Sequence, residues 1–258
     1  MATNYIVAGT DIPIKSLYAD DASAQETLGR MVKLDDGRRC RYVQFRGPVN
    51  AGMVVKRCLS KVHLAATHIS TGPTTGGRGF LACSQASLTV ANNFAGGYVV
   101  LKDGIGEGQM RQITDYAAFS ASKTTGILAG KGIKINLDYP WQVSPTTATV
   151  ADLVQPWRVL QSTGAICEIP GGVALRDHST SNYFGWAQEG GIAAVQPEQS
   201  DISPGLAIQI GNVSGGVVRK VGVSSQDDIS AVDMHAIMGY CITDPSAHAA
   251  WGLAVLDI

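Results

Sequence analysis

The stretch that decides the fold is residues 92–113, NNFAGGYVVLKDGIGEGQMRQI, in which two short strand patterns flank glycines spaced two apart. Gly104, Gly106 and Gly108 lack the third glycine of a dinucleotide fingerprint at its required offset. The residues after them predict a strand and not a phosphate-binding helix, and no Lys and Ser/Thr pair completes a P-loop. The stretch therefore predicts the turn of a β-hairpin and argues against a nucleotide site.

A second hairpin is predicted around Asp35-Asp36-Gly37. This turn sequence supplies the positive φ and the side-chain capping that a tight turn requires. Strand candidates flank it at Arg30–Leu34 and Arg39–Arg46. The apolar positions of the second strand change phase between Tyr42 and Val43, which predicts a bulge or a strand buried on both faces.

Composition extends the β prediction to the whole chain. Glycine accounts for 30 of 258 residues, and 16 of the 21 acidic residues are Asp, a mixture that disfavours helix. The predicted fold class is an all-β antiparallel sandwich or barrel-like scaffold with long loops, little helix and an extended N-terminal arm. Further strand candidates lie at Met53–Leu59, Ala82–Ala91, Ala117–Leu137, Ala165–Ile169, Tyr183–Glu189, Gly191–Gln196, Leu206–Ile210, Val217–Val221, Met234–Ile242 and Trp251–Asp257.

The chain is expected to fall into three parts. The polar residues 1–27 predict the extended arm, and a Pro- and Thr-rich stretch near 138–150 predicts a boundary between β subdomains at 28–140 and 141–258. A helix over Val150–Leu160 stays open as an alternative, with Pro156 ending or kinking it. The glycine-rich residues 68–79 predict an exposed, mobile loop.

Charge and cysteine usage exclude several classes of partner. The 20 basic and 21 acidic residues give a formal charge of −1 without a basic block, which argues against nucleic-acid binding. The local exception, Arg38, Arg39, Arg41 and Arg46, predicts solvated or inter-subunit charge. Five dispersed cysteines predict reduced thiols and synthesis in cytoplasm. No signal peptide and no membrane-spanning stretch is expected.

Residue types that carry catalysis do not converge in the sequence. The five histidines show no zinc-site spacing. Asp177 and His178 could form half of a hydrolase triad, but the chain has no GxSxG nucleophile elbow. The Asp pairs at 20–21, 35–36 and 227–228 lie in predicted turns, where Asp is favoured for capping alone. No catalytic, cofactor or metal residue is predicted, and no small-molecule substrate.

Four segments, taken in order, resemble a recurring pattern of tailed-phage virion proteins that are encoded near the major capsid gene and are thought to act as head decoration, or cement, proteins. Together they cover a little under a third of the chain, and residues 60–80 have no counterpart. The resemblance is closest at Asp36–Val43, Asp103–Ile113 and Tyr183–Gly191. The segments are LDDGRRCRYVQFRGPVNAGMVVK (34–56), NNFAGGYVVLKDGIGEGQMRQI (92–113), NYFGWAQEGGIAAV (182–195) and IMGYCITDPSAHAAWGLAVLDI (237–258).

The resemblance implies a non-enzymatic shell component that binds the outside of the assembled capsid, with the major capsid protein as partner and a homotrimer as its form. Our hypothesis is that the arm lies across neighbouring subunits and adds a strand to an exposed sheet edge. The predicted capsid or inter-subunit contact residues are Asn4, Tyr5, Ile6, Ile12, Ile14, Leu17, Arg39, Arg41, Arg46 and Trp186.

Two alternatives of other classes stay open. A carbohydrate- or receptor-binding β module displayed on the virion would be supported by an exposed tryptophan over a groove, from among Trp141, Trp157, Trp186 and Trp251. A hydrolase with a dispersed triad around His178 would need a Ser or Cys within hydrogen-bond reach of that imidazole.

Overall fold

The computed structural model describes residues 4–5, 12–13, 17–58, 60–64, 69–70, 80–83, 94–120, 131–146, 148–155, 157–163, 168–198, 202–211, 216–220, 237–243 and 251–258. Every regular element bounded within these ranges is a strand, and all named pairings except one are antiparallel. The all-β antiparallel prediction is confirmed. No helix of the described chain is long and apolar enough to cross a bilayer. The strands are β1 Asn4–Tyr5, β2 Ile12–Pro13, β3 Met31–Lys33, β4 Arg39–Phe45, β5 Val54–Arg57, β6 Ser60–Leu64, β7 Ile69–Ser70, β8 Phe80–Cys83, β9 Tyr98–Asp103, β10 Met110–Ser120, β11 Lys131–Leu137, β12 Val150–Gln155, β13 Arg158–Gln161, β14 Pro170–Ala174, β15 Tyr183–Val195, β16 Ala207–Ile210, β17 Val218–Lys220, β18 Ile237–Cys241 and β19 Gly252–Asp257.

The chain forms two compact units, and in sequence the second interrupts the first. Unit 1 consists of Met1–Cys58 and Trp157–Ile258, and unit 2 of Leu59–Pro156. The predicted boundary near residue 140 lies inside unit 2. The division differs because β4 pairs along most of its length with β15, which joins the beginning and the end of the chain in one sheet.

Unit 1 contains a closed ring of five strands, paired in the order β15, β14, β5, β13, β4 and back to β15. Each of these strands contributes to one buried apolar cluster, whose members include Val43, Phe45, Val55, Val159, Ala174 and Ala187. Closure leaves none of the five strands with a free edge inside the ring. The ring is therefore the core around which the rest of unit 1 is built.

Four further strands extend the sheet of unit 1 from β15, in the order β19, β18, β16 and β17. Their inner face packs into a second apolar cluster that includes Ala193, Ile208, Met238, Ala254 and Leu256. Burial alternates residue by residue along β19. Its other side chains therefore point to the outer face of the sheet.

The hairpin predicted around Asp35-Asp36-Gly37 is confirmed. Strands β3 and β4 pair in antiparallel register, and Gly37 has a φ of 87°. Tyr42 and Val43 are both buried, Tyr42 in a cluster with Trp186 and Val43 inside the ring. The phase change in the sequence thus marks a strand that is buried on both faces.

Unit 2 holds a seven-stranded antiparallel sheet in the order β6, β12, β9, β10, β11, β8, β7. The hairpin of residues 92–113 joins β9 to β10, with Val100 opposite Met110. Gly104, Gly106 and Gly108 have φ values of 83°, 86° and 83°, a region that side chains with a Cβ adopt rarely. The glycines make a turn, as the spacing predicted.

Several local predictions require correction. The helix alternative over Val150–Leu160 is wrong, because Val150–Gln155 forms β12 and Arg158–Gln161 forms β13. Strand β12 lies between β6 and β9 and hydrogen-bonds to both. The candidates Tyr183–Glu189 and Gly191–Gln196 are one strand, β15, with a register shift between Gln188 and Gly190. Strands β6, β7 and β14 lie where no strand was predicted, and β7 falls within the stretch 68–79 that was predicted to be a loop. Parts of other predicted segments lie outside the described residues, namely 71–79, 84–91, 121–130, 165–167, the Asp pair at 227–228 and 234–236.

Candidate interaction surface

Four large apolar side chains form an exposed patch on the outer face of the unit 1 sheet. Val255 on β19 lies directly opposite Ile192 on β15 and Tyr240 on β18, and opposed residues point to the same face. Leu253 lies two residues before Val255 on the same face. The exposed fractions are 53% for Ile192, 58% for Tyr240, 40% for Leu253 and 41% for Val255. We call these four residues the apolar sheet face.

The sequence of β19, GLAVLD, explains why this face is apolar. Ala254 and Leu256 are buried in the core, while Leu253 and Val255 are equally apolar and face outward. A strand with one solvated face normally carries polar side chains there. Contiguous exposed apolar patches are typical of surfaces that bind other proteins.

Charged residues border the apolar sheet face. Asp257 ends β19 on the same side as Val255, and its Oδ1 lies 2.9 Å from Nη2 of Arg39. A polar rim around an apolar centre is the common anatomy of a protein interface. Among the predicted contact residues whose side chains are described, Arg39 is the one that borders this face.

The other predicted contact residues lie elsewhere. Leu17 and Trp186 are buried within their own chain, at 1% and 2% exposure. Arg46 is exposed. Of the arm, Asn4 and Tyr5 pair with Pro13 and Ile12 through their backbones, whereas Ile6 and Ile14 lie outside the described residues.

Arg41 belongs to a charge cluster on the opposite side of β4 from Tyr42. Its Nε lies 2.8 and 2.7 Å from the two carboxylate oxygens of Glu189, and Nη2 of Arg57 lies 3.2 Å from Oε1. Both guanidinium groups stack on the ring of Trp157, at 4.4 and 5.2 Å from its centroid. Glu189 is the extra residue at the β15 bulge, and a bulge re-aims a side chain in this way.

The hydrolase alternative would centre on His178. Its Nδ1–H donates to Oδ1 of Asp20 over 2.7 Å, and its ring stacks on Phe45. Burial lowers the pKa of His178, although Asp20 opposes that shift. Asp177 instead accepts a hydrogen bond from the backbone of Ala51. No described Ser or Cys hydrogen-bonds to Nε2 of His178, so the partner that the hypothesis required is not found among the described residues.

The thiols and carboxylates of the described chain do not form a metal centre. No three His, Cys, Asp or Glu side chains come together among the residues that the structure describes. Burial raises the pKa of the Cys40 thiol to about 12. Burial also raises the pKa of Cys58. Protonated thiols are poor nucleophiles and poor metal ligands.

Glu168 in unit 1 has a carboxylate with several hydrogen-bond donors around it. It accepts hydrogen bonds from Lys56 at 2.5 Å and from the hydroxyls of Ser162 and Thr163. Burial alone would raise the pKa of Glu168, but these hydrogen bonds outweigh it and bring the pKa down to about 2.

We expect Glu168→Gln to make the free energy of unfolding depend less on pH in the acid range. Because the folded-state pKa lies below the unfolded value, the stabilisation by the ionised carboxylate is complete above about pH 5 and is lost as the pH falls toward 2, a contribution of about 1–3 kcal/mol. Urea unfolding at pH 6 and at pH 2.5 should show a clearly larger deficit of the variant relative to the parent at pH 6 than at pH 2.5. Glu107→Gln, which removes an exposed carboxylate, should follow the parent, and an equal deficit of Glu168→Gln at both pH values would contradict the prediction.

Comparison of the chain with protein-family models finds no match. Neither the curated proteins nor the solved structures contain a match.

Proposed function

We propose that this chain is a non-enzymatic structural protein of a tailed-phage virion, which binds the outside of the assembled capsid shell and stabilises it. The observation that carries the proposal is the apolar sheet face, a contiguous exposed patch bordered by charge. The resemblance of the four segments supplies the class of partner, the major capsid protein. The protein would be made in the host cytoplasm and would end on the capsid exterior as a homotrimer.

The residues that carry the resemblance have structural roles in the described chain. Gly104–Gly108 form the hairpin turn, and Gln109 holds it by donating to the carbonyl oxygens of Gly106 and Val143. Ile113 is fully buried in unit 2, and Gln188 donates to two backbone carbonyls. Motifs of this kind specify a scaffold, which is what a shell protein without catalytic activity requires.

Binding the assembled shell, but not free capsid subunits, stabilises the shell by mass action. A ligand at 100 times its Kd stabilises its target by about 2.7 kcal/mol. Full burial of a Leu, Ile or Val side chain contributes about 1.5–3 kcal/mol, so each half-exposed residue of the apolar sheet face has about 1 kcal/mol left to gain. In a trimer three copies of the face act together, and linkage raises the overall affinity well above that of one contact.

The test is Val255→Lys. We expect it to weaken binding to purified expanded capsids by at least about tenfold, because a charged side chain would lose its water at the apolar centre of the interface. Co-sedimentation with capsids that lack the protein measures the affinity, and capsid melting measures the stabilisation. The fold should survive, since residue 255 points to solvent.

The matched control is Ile105→Lys, which introduces the same charge at a residue that is 50% exposed in unit 2. It should bind as the parent does. Equal binding by Val255→Lys would contradict the assignment of the face. If Val255→Lys instead lowers the mass of the protein in solution from trimer to monomer, the face joins copies of the chain and does not touch the capsid.

A further inference from the structure

Unit 1 has a pocket of about 310 Å3 beside the apolar sheet face, and Ile192 belongs to both. Its apolar lining includes Val173, Ala174 and Ala194. The volume is at the lower end of the range for small-molecule sites, which are mainly apolar with a few placed polar groups. The pocket therefore fits a ligand of about one ring.

Trp251 is the aromatic residue of this pocket. It is 51% exposed, whereas Trp141 and Trp186 are 1% and 2% exposed. Its indole packs against the backbone of Gly52, which has a φ of 74° and where a Cβ would collide with the ring. The indole is thus held in place with much of its surface open, an arrangement that suits stacking on a flat apolar ligand surface.

Three polar side chains complete the lining. Nε of Arg38 donates a hydrogen bond to Asp36, and Nη1 donates to the hydroxyl of Tyr18. Nη2 of Arg38 makes no hydrogen bond to a described residue. Gln188 is 2% exposed and donates its amide hydrogens to the carbonyls of Gly190 and Ile192. Both of these bonds use the amide nitrogen, so Oε1 of Gln188 can accept a hydrogen bond from a ligand. The pocket thus offers one cation, one buried acceptor and the Tyr18 hydroxyl.

We propose that this pocket binds a pyranose that carries a carboxylate. The C–H face of the sugar would stack on Trp251, one hydroxyl would donate to Oε1 of Gln188, and the carboxylate would meet Arg38, a group that recognises carboxylates well. A wholly apolar ligand would desolvate Arg38 and Gln188 without replacing their hydrogen bonds. A polyphosphate would meet a single guanidinium that is already shared with Asp36. An acidic sugar matches the indole of Trp251, the acceptor of Gln188 and the cation of Arg38 together.

The experiment is a ligand-observed saturation-transfer NMR titration of the whole protein with methyl glucuronide and with methyl glucoside. We expect saturable binding of the glucuronide that is about tenfold tighter than binding of the glucoside. Only the glucuronide has the carboxylate that can accept a charge-assisted hydrogen bond from Arg38. In the parent, the indole N–H resonance of Trp251 should shift with the same Kd. If the parent failed to bind capsids, these results would be unaffected, because the sugar-binding proposal does not depend on the proposed function.

Matched variants locate the site. Trp251→Ala should weaken glucuronide binding at least about tenfold, whereas Tyr240→Ala, at an exposed aromatic residue outside the pocket, should not change it. Arg38→Gln should bring the glucuronide to the affinity of the glucoside, and Arg39→Gln should leave the preference intact. Unfolding midpoints confirm that each variant folds. No saturable binding by the parent, equal affinity for the two sugars, or full affinity in Trp251→Ala each overturns the proposal.

Discussion

Replacing Glu189 by alanine is expected to lower the free energy of unfolding of unit 1 by about 3–5 kcal/mol, as breaking a buried ion pair typically does. The Glu189 side chain is 4% exposed and contacts Arg41 and Arg57, which are 18% and 24% exposed. Without the carboxylate, two largely buried cations would face each other over Trp157. Neither can reach water fully without leaving that ring.

Urea denaturation of the parent and the variant measures this loss. Asp257→Ala is the matched control, because it removes the partner of Arg39 at a carboxylate that is 87% exposed, where the expected change is below about 0.5 kcal/mol. The double variant Glu189→Ala with Arg41→Ala should recover part of the loss, since one uncompensated cation is removed with its partner. A loss below about 1 kcal/mol in Glu189→Ala would show that water solvates the cluster.

Local features of the fold were predictable because their causes are local. A turn sequence such as Asp35-Asp36-Gly37 fixes backbone dihedrals within three residues, and the glycines at 104–108 do so within five. The phase change at Tyr42 and Val43 shows in the sequence because each face of β4 packs against a different cluster. These signals need no knowledge of distant strands.

The closure of the five-stranded ring was not predictable in the same way. It depends on β4 pairing with both β13 and β15, more than a hundred residues later, and nothing in the seven residues of β4 encodes the partner. Strand β14, PGGVA, was missed because all five residues are buried and no alternation appears. The interruption of unit 1 by unit 2 follows from these distant pairings.

Only part of the candidate surface could be predicted from the sequence. The strand was predicted at Trp251–Asp257, but residues of both of its faces are apolar, so the sequence does not say which face the core covers. Arg39 was predicted from its charge and lies at the border of the apolar sheet face. The aromatic character of Trp186 indicated an anchor for a sheet or for a subunit contact, and its burial against Tyr42 on β4 makes it an anchor of the sheet.

Trp186→Ala is expected to lower the free energy of unfolding by about 3–5 kcal/mol, the usual range for a fully buried aromatic residue. The side chain is 2% exposed, lies opposite Tyr42 in the pairing of β15 with β4, and meets the ring of Tyr42 edge-on at 5.2 Å. Leu17 and Val32 belong to the same cluster. Truncation to alanine would leave a cavity among them, because side chains held by paired strands can relax only in part.

Urea unfolding followed by circular dichroism measures the loss, and Trp251→Ala is the matched control. It removes the same side chain from a residue that is 51% exposed, so the expected cost is at most about half as large. Capsid binding, measured per folded molecule, separates the two roles that Trp186 could have. A core residue changes stability and leaves the affinity of the folded protein intact. Unchanged stability with lost capsid binding would instead make Trp186 one of the contact residues predicted from the sequence.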